Sequence, residues 1–228
     1  MVTDFSVNVP YAHDPLYQQS PLPANPSNGE PRVEKPVGVA IDIGTTTVAL
    51  LLVDLSDGRI LAKAASFNQQ MHFGDDVVTR ITLCFNKPQM VQQLQEAITH
   101  RTIEPLLMQA LAEAGISREQ LVSFTIAGNT TMLHLLAGVD PSPMGVSPFT
   151  PVFLEHQLMS PKNVFIAPDD RPHSQLPCPP TAAIHLLPSA AAYIGSDLTA
   201  GIIASGLLYD PGPSLLVDVG TNGEIILK

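Results

Sequence analysis

Two short turns, each an acidic residue followed by glycine and threonine, constrain the fold of this chain more than any other feature. Asp42 precedes Ile-Gly-Thr-Thr-Thr, and Asp218 precedes Val-Gly-Thr-Asn-Gly-Glu. The apolar runs before them, 37–41 and 215–217, are typical of strands, and each turn leads into further β-like sequence. The pattern predicts two β-hairpins that each carry a carboxylate at the end of the first strand.

Hairpins of this kind suit a phosphate chain. Glycine lets a ligand approach the backbone closely, and backbone N–H groups and threonine hydroxyls donate to phosphate oxygens. The candidate phosphate-binding residues are Gly44, Thr45, Thr46 and Thr47 in the first turn and Gly220, Thr221, Asn222 and Gly223 in the second. Asp42 and Asp218 are the candidate catalytic carboxylates and the candidate ligands of Mg²⁺, which prefers oxygen.

The same residues also suit ordinary hairpin turns. An aspartate at a strand end can bond to the N–H groups of its own turn, and Asn222-Gly223 is a strong turn signal without any ligand. Glu224 is a candidate catalytic base that would orient water, and it fits a solvated strand position equally well. One such turn is weak evidence, whereas two turns in matching strand contexts favour phosphate binding.

A third candidate cofactor-binding segment consists of Gly128, Asn129 and Thr130. It lies at a predicted junction between a strand at 121–127 and a helix at 132–137. A side chain or the helix N-terminus could approach the terminal phosphate of a nucleotide there. Asn129 or Thr130 could instead act as a plain N-cap, so both interpretations stay open.

Proline content and apolar periodicity divide the chain into regions. Residues 1–36 hold seven of the 22 prolines, which predicts an extended or disordered linker. Residues 37–208 form one predicted α/β domain, interrupted at 138–180 by a proline-rich surface excursion with one strand at 163–167. Residues 209–228 have the pattern of the opening strands of a second domain.

Within the first domain the predicted order of elements is β-β-β-α-β-α. Asp75 or Asp76 caps the first helix, and Arg80 lies close enough to join them in a local charge cluster. A simple capped helix is the favoured interpretation. A longer helix follows at 89–114, with a kink or short break at Pro105.

Four segments resemble one protein family, the reductive activators of corrinoid proteins, within the actin, Hsp70 and sugar-kinase (ASKHA) superfamily. The segments are 38–47, 68–81, 127–132 and 187–197, the last continuing to the second turn. Segments 68–81 and 127–132 are the more specific to these activators. The resemblance spans 37–228 and implies the ribonuclease-H-like fold of actin-like ATPases, here the first half and the opening strands of the second.

The resemblance also implies an activity. Such activators bind and hydrolyse ATP with Mg²⁺, and they drive an electron from a ferredoxin-type donor to the Co(II) corrinoid of a methyltransferase partner protein. Cys84 and Cys178 cannot supply the four thiolates of a cluster, so a [2Fe–2S] centre is expected only in a missing or separate domain. The chain also stops at Lys228, before the family's adenosine-binding half, so a fragment is expected.

Other functions fit the same turns. One is an ATP-switched binding module or an incomplete nucleotide-binding fragment. Another is a small-molecule kinase of the same superfamily, which needs a catalytic aspartate in the cleft that the sequence does not identify beyond the two turns.

Composition narrows the possible partners and location. A net charge of −10 and a pI near 4.9 argue against nucleic acid, because no basic patch is present to neutralise its phosphates. No apolar run reaches the roughly 18–20 residues that a membrane span needs, and no signal peptide is evident, which points to the cytoplasm. Apolar strand surface at 215–227 predicts poor solubility or a homodimer.

Overall fold

A mixed sheet of six strands forms the centre of the larger of two units. The parts of the chain that the computed structural model describes are residues 33, 35–166, 176–220 and 223–228. The larger unit spans Val33–Thr199, and Ala200–Lys228 belongs to a second unit. The large sheet has the strand order β3-β2-β1-β4-β6-β5. Its strands are β1 (Val37–Ile43), β2 (Thr47–Asp54), β3 (Ile60–Phe67), β4 (Leu121–Gly128), β5 (Gln157–Met159) and β6 (Ala183–Leu186).

β1 is an inner strand of this sheet, with a paired neighbour on each side. Its core-facing side chains are at most 3 % exposed, and they are Val37, Val39, Ile41 and Ile43. β1 pairs antiparallel with β2, which confirms the first predicted hairpin, and parallel with β4. Asp42 lies opposite Ala127 of β4, so the carboxyl ends of these two parallel strands meet at one edge. Open α/β sheets bind their ligands at such an edge.

Six α-helices occur in the described parts of the chain. They are α1 (Val77–Asn86), α2 (Met90–Ile98), α3 (Glu104–Ala114), α4 (Thr130–Leu136), α5 (Pro161–Val164) and α6 (Ser196–Ala204). The helix predicted at 89–114 is two helices, α2 and α3, joined by a π-helical turn at Thr99–Ile103. Pro105 lies in the first turn of α3, directly after the π-helical turn. The predicted irregularity is therefore present as the π-helical turn just before this proline, and the helical run itself is continuous.

The proline-rich segment at 138–180 contributes more to the core than its sequence pattern indicates. The predicted strand at 163–167 is wrong within the described residues, because Pro161 starts the single helical turn α5 there. The segment instead supplies the edge strand β5, which pairs antiparallel with β6. It also buries three large apolar side chains, Met144, Val164 and Phe165.

The second unit contains the second predicted hairpin. Strands β7 (Leu215–Val219) and β8 (Gly223–Leu227) pair antiparallel, with Leu215 opposite Leu227. Apolar side chains on both strands remain exposed, including 86 % of Val219 and 76 % of Leu227. In the described parts of the chain, no helix is both long and apolar enough to cross a bilayer.

Candidate functional site

The first glycine/threonine turn, residues 44–46, connects β1 to β2 with its carbonyl groups directed into the protein. The carbonyl of Gly44 accepts from Asn68 Nδ2 at 2.9 Å, and that of Thr45 accepts from Arg80 Nη2 at 2.7 Å. The carbonyl of Thr46 accepts from the Asn68 backbone N–H at 2.8 Å. All three carbonyls are thus held by residues outside the turn.

This arrangement decides where the N–H groups of the turn point. In a trans peptide the C=O and N–H groups point in opposite directions. Since the carbonyls of Gly44 and Thr45 face Asn68 and Arg80, the N–H groups of Thr45 and Thr46 face away from them. Consecutive N–H groups on one side of a turn are a common way to bind an anion.

A buried polar network lies beneath the turn. Asn68, Gln70 and Arg80 have no exposed surface. Arg80 Nη1 donates to Gln70 Oε1 at 3.1 Å, and Gln70 Nε2 donates to the Leu94 carbonyl at 2.8 Å. Both Asn68 Nδ2 and Arg80 Nη1 also approach Met132 Sδ, at 3.7 and 3.1 Å. The network connects the turn to α1, α2 and α4.

The structure has the capped helix that the sequence favoured at this position, and not a charge cluster hydrogen-bonded through Arg80. Asp76 caps α1 as expected, because its carboxylate accepts from the Thr79 N–H at 2.7 Å. The guanidinium of Arg80 is instead directed into the core. Burial lowers the pKa of Arg80 to about 10, while the carboxylates of Asp76 and Asp75 act in the opposite direction. The side chain therefore remains a cation at neutral pH.

Sequence analysis did not identify these three residues as supports of the turn. They lie in the segment 68–81, one of the two that most specifically carried the family resemblance. The available signal was the presence of polar side chains in a segment that otherwise packs on the core. Such side chains need hydrogen-bond partners when they are buried. The partners themselves lie far away in sequence and could not be inferred.

The end of β4 lies directly against the end of β1. A Cβ added at Gly128 would lie 2.7 Å from the carbonyl oxygen of Ile43, so only glycine permits this approach. Asn129 Nδ2 donates to Thr45 Oγ1 at 3.1 Å, and Asn129 Oδ1 accepts from the Met132 N–H at 3.0 Å. Asn129 is thus the N-cap of α4 and a partner of the first turn at the same time.

Thr130 points elsewhere. Its side chain is buried, and its hydroxyl donates to the Ala191 carbonyl at 2.7 Å. Contact of a ligand with this segment, Gly128, Asn129 and Thr130, remains a prediction.

Gly195 and Ser196, at the start of α6, pack against the junction between β4 and α4. The Ser196 hydroxyl bonds both the N–H and the carbonyl of Gly128, at 3.1 and 3.2 Å. A Cβ on Gly195 would collide with the Cα of Asn129 and with Asp197 Oδ1. The carboxylate of Asp197 therefore lies near Asn129. Sequence analysis included Asp197 in a segment that resembles the family, but not among the candidate site residues.

Asp42 is the acidic residue closest to the first turn in sequence. It is exposed, between the buried Ile41 and Ile43, because side chains alternate along β1. Thr47, the first residue of β2, is exposed as well, and its carbonyl accepts from the Gly44 N–H at 2.9 Å. A Cβ on Gly44 would lie 2.7 Å from that same carbonyl oxygen, so the turn requires glycine at this position.

The second hairpin places its two acidic residues opposite each other. Asp218 of β7 pairs with Glu224 of β8; Asp218 is exposed and Glu224 half-buried. Gly220 is exposed, and Gly223 starts β8. Thr221 and Asn222 lie outside the described residues. The two hairpins belong to different units, so a Mg²⁺ site shared by Asp42 and Asp218 stays a prediction.

The described residues do not supply ligands for an iron–sulfur cluster. Cys84 and Cys178 are both buried, and burial raises the pKa of each thiol to about 12. Cluster ligands must be thiolates, and four are usual. Across the described ranges, no group of three or more His, Cys, Asp or Glu side chains is placed to hold a metal ion.

Comparison with known proteins agrees with the fold and the motifs. A family described as "RACo middle region" matches residues 37–210. The corrinoid activation enzyme RamQ of Eubacterium limosum is 33 % identical over 201 residues, which cover 88 % of this chain and 31 % of RamQ. A solved reductive activator for a corrinoid, iron–sulfur protein superimposes with a TM-score of 0.77 at 34 % identity, over 86 % of this chain and 30 % of that one.

The chain therefore spans about a third of the length of these two relatives. The match to the solved activator confirms the predicted α/β class and the actin-like ATPase fold. It also confirms the resemblance to the corrinoid activators that segments 38–47, 68–81, 127–132 and 187–197 indicated. Because the family match covers most of its length, the chain belongs to the RACo middle region family.

Proposed function

We propose that this chain is the nucleotide-binding part of an ATP-dependent reductive activator, which restores the reduced cobalt of a corrinoid protein. The observation that carries the proposal is the family match over residues 37–210, supported by two relatives that are named as corrinoid activators. The partner would be a corrinoid protein. The electron would come from a ferredoxin-type [2Fe–2S] donor on a separate domain or protein, in the cytoplasm.

The residues at the first turn fit Mg·ATP chemically. Their donors are backbone N–H groups and threonine hydroxyls, which suit phosphate oxygens, and Asp42 supplies a carboxylate oxygen, which suits Mg²⁺. Mg²⁺ usually keeps several waters and takes one or two carboxylates. The absence of a larger acidic cluster among the described residues is therefore compatible with this ion.

Each part of the site would have one task. The N–H groups of Thr45 and Thr46 would bind phosphate oxygens, with Asn129 holding the Thr45 hydroxyl in place. Asp42 and Asp218 would orient water around the metal, and Glu224 would orient the attacking water. When bound, Mg²⁺ would neutralise charge on the phosphates. Phosphoryl transfer depends mainly on such positioning and charge stabilisation.

ATP would act on the electron transfer through conformation. A ligand shifts an equilibrium between two conformations only by its difference in affinity for them. In this proposal ATP favours a conformation of the activator that binds the corrinoid protein in a state from which cobalt accepts an electron. Hydrolysis would then reset the activator.

The test is an assay of ATP-dependent Co(II) reduction with the intact activator, its corrinoid partner and a reduced donor. Asp42→Ala should lower the ATP-dependent rate at least about a hundredfold, because a group that stabilises developing charge contributes on this scale. Asp57→Ala is the control, since Asp57 is an exposed carboxylate in the turn after β2. An undiminished rate in Asp42→Ala would refute the proposed role.

The same assay separates the other candidate functions. A small-molecule kinase would transfer phosphate to a metabolite without any change at cobalt. A binding module would bind ATP but show neither cobalt reduction nor phosphate transfer.

A further inference from the structure

Arg80 is a fully buried cation whose hydrogen bonds end on neutral groups. Its guanidinium donates to the carbonyls of Thr45 and Gly74, at 2.7 and 3.0 Å, and to Gln70 Oε1 and Met132 Sδ, both at 3.1 Å. Burial of a charge without a directly bonded carboxylate is costly. An apolar side chain would fill the same volume at lower cost, so packing does not account for this residue.

The geometry of the guanidinium supplies a different account. Its planar fork can hold several acceptors in fixed directions, which a flexible ammonium cannot do. Here it joins the first turn, through Thr45, to the turn before α1, through Gly74. Gln70 Oε1 accepts from the same guanidinium, and Gln70 Nε2 donates to the Leu94 carbonyl of α2. The position of Thr45 is thereby set by three separate segments of the chain.

Holding the carbonyl of Thr45 inward has a direct consequence for anion binding. If that peptide rotated, its carbonyl oxygen would point outward, toward the side where a phosphate is expected, and would repel it. Asn68 acts in the same way on the preceding peptide, through its bond to the Gly44 carbonyl. Both N–H groups are therefore oriented before any ligand arrives, which removes an ordering cost from binding.

We infer that Arg80, together with Asn68, is a positioning residue that holds the first glycine/threonine turn in its anion-binding orientation. The inference rests on the proposed function for the identity of the ligand, Mg·ATP. The orientation of the turn can be measured without any ligand. Arg80 has no exposed surface and acts through the Thr45 peptide.

The test uses two variants and one matched control in the whole chain. Arg80→Lys keeps the charge but loses the fork. Asn68→Ser keeps an acceptor suited to its capping bond with the Gln70 N–H, but its side chain is too short to reach the Gly44 carbonyl. Arg59→Lys makes the same change as Arg80→Lys at an exposed position and should behave like the unmodified protein.

The first measurement is ¹⁵N relaxation of the Thr45 and Thr46 amides without ligand. We expect order parameters of about 0.85 in the unmodified chain and below about 0.6 in both variants, with β1 and β4 unchanged. If Arg80 had only a general structural role, its substitution would lower order parameters throughout the domain or lower the folded fraction. It would not affect the Thr45 and Thr46 amides selectively. Should Arg80→Lys fail to fold, Asn68→Ser carries the test alone. Rigid Thr45 and Thr46 amides in the folded variants would overturn the inference.

The second measurement is the Kd of Mg·ATP per folded molecule, by calorimetry, in the intact activator that carries each variant. Binding groups that are misplaced by up to about 1 Å lose much of their contribution to affinity. We therefore expect the Kd of Mg·ATP to rise at least about tenfold in both variants. An unchanged Kd would also overturn the inference. If the intact, unmodified activator did not bind Mg·ATP, the proposed function would fail, and the relaxation data would still decide whether Arg80 positions the turn.

Discussion

Gly128 is the residue at which β4 approaches β1 most closely. A Cβ there would lie 2.7 Å from the Ile43 carbonyl oxygen and 3.2 Å from the Ile43 Cβ. Neither neighbour can move without shifting β1, because Ile43 is fully buried. The absence of a side chain at this one position therefore maintains the junction on which Asn129 and the first turn depend.

Gly128→Ala should lower the free energy of unfolding by about 1–3 kcal/mol, the range for overpacking a core. Urea denaturation monitored by circular dichroism would measure it. Gly201→Ala is the control, because Gly201 lies in helix α6 and a Cβ added there would lie 3.8 Å from its nearest neighbour, Leu216 Cδ2. Alanine at this position should be neutral or stabilising. Equal effects of the two substitutions would contradict the steric argument.

His134 shows how a single buried side chain depends on its protonation state. Its Nδ1 donates to the Thr130 carbonyl at 2.7 Å, and its Nε2 accepts from the Val152 N–H at 3.1 Å. The ring also stacks on Phe153 with the centroids 4.2 Å apart. A protonated ring could not accept at Nε2, and burial lowers the pKa of His134. The folded protein therefore holds this imidazole neutral.

This predicts a loss of stability in mild acid. Because the folded pKa lies below the ordinary 6.5, the unfolded chain binds more protons, and unfolding becomes easier as pH falls through and below that value. Unfolding free energies measured at pH 7 and pH 5 should differ more in the unmodified chain than in His134→Gln, which cannot titrate. The same pH dependence in both proteins would exclude His134 as its source.

At the level of elements, helix α1 carries Arg80 from its first turn toward the buried network. Its N-terminus is held by Asp76, whose carboxylate accepts from both the N–H and the hydroxyl of Thr79, at 2.7 and 3.1 Å. Fraying of this end would loosen the position of Arg80 and, through it, the first turn.

Asp76→Ala should lower the unfolding free energy, because the two hydrogen bonds that cap α1 are lost. Asp75→Ala, one position earlier and outside the helix, should change it by less than about 0.5 kcal/mol, as at most surface sites. Thermal or urea unfolding of the two variants measures the difference. A larger loss in Asp75→Ala than in Asp76→Ala would show that the cap is assigned to the wrong residue.

For the whole molecule, the exposed apolar faces of β7 and β8 are the feature most relevant to behaviour in solution. Leu215 and Leu227 pair across the hairpin and are 60 % and 76 % exposed. Two-stranded hairpins with apolar exposed side chains tend to pair with other chains.

This chain should therefore self-associate at high concentration, and Leu215→Lys with Leu227→Lys should reduce that association. Sedimentation velocity over a range of concentrations measures it. Leu158→Lys, at an exposed position of β5, is the control for a general effect of added charge. Unaltered association in the hairpin variant would place the contact elsewhere on the molecule.

Local patterns were sufficient to predict β1 to β4, the two hairpins and an aspartate at 75 or 76 as the N-cap of α1, whereas β5 and β6 were not predicted. Alternation of apolar residues along β1, the glycine/threonine turns and the position of Asp76 depend on interactions within a few residues, which a sequence displays directly. The strand predicted at 163–167 failed for the opposite reason. Apolar residues there are buried by contacts with the rest of the fold, and Pro161 starts a helical turn locally.

The partners of the candidate site were decided only by the tertiary structure. Arg80 reaches Thr45 across 35 positions of sequence, and Asn129 reaches the same residue across 84. The sequence determined which residue types carry phosphate chemistry and that two turns present them. It did not determine that Asn68 and Arg80 orient the first turn, because a buried polar side chain takes its role from whichever acceptors the folded chain brings to it.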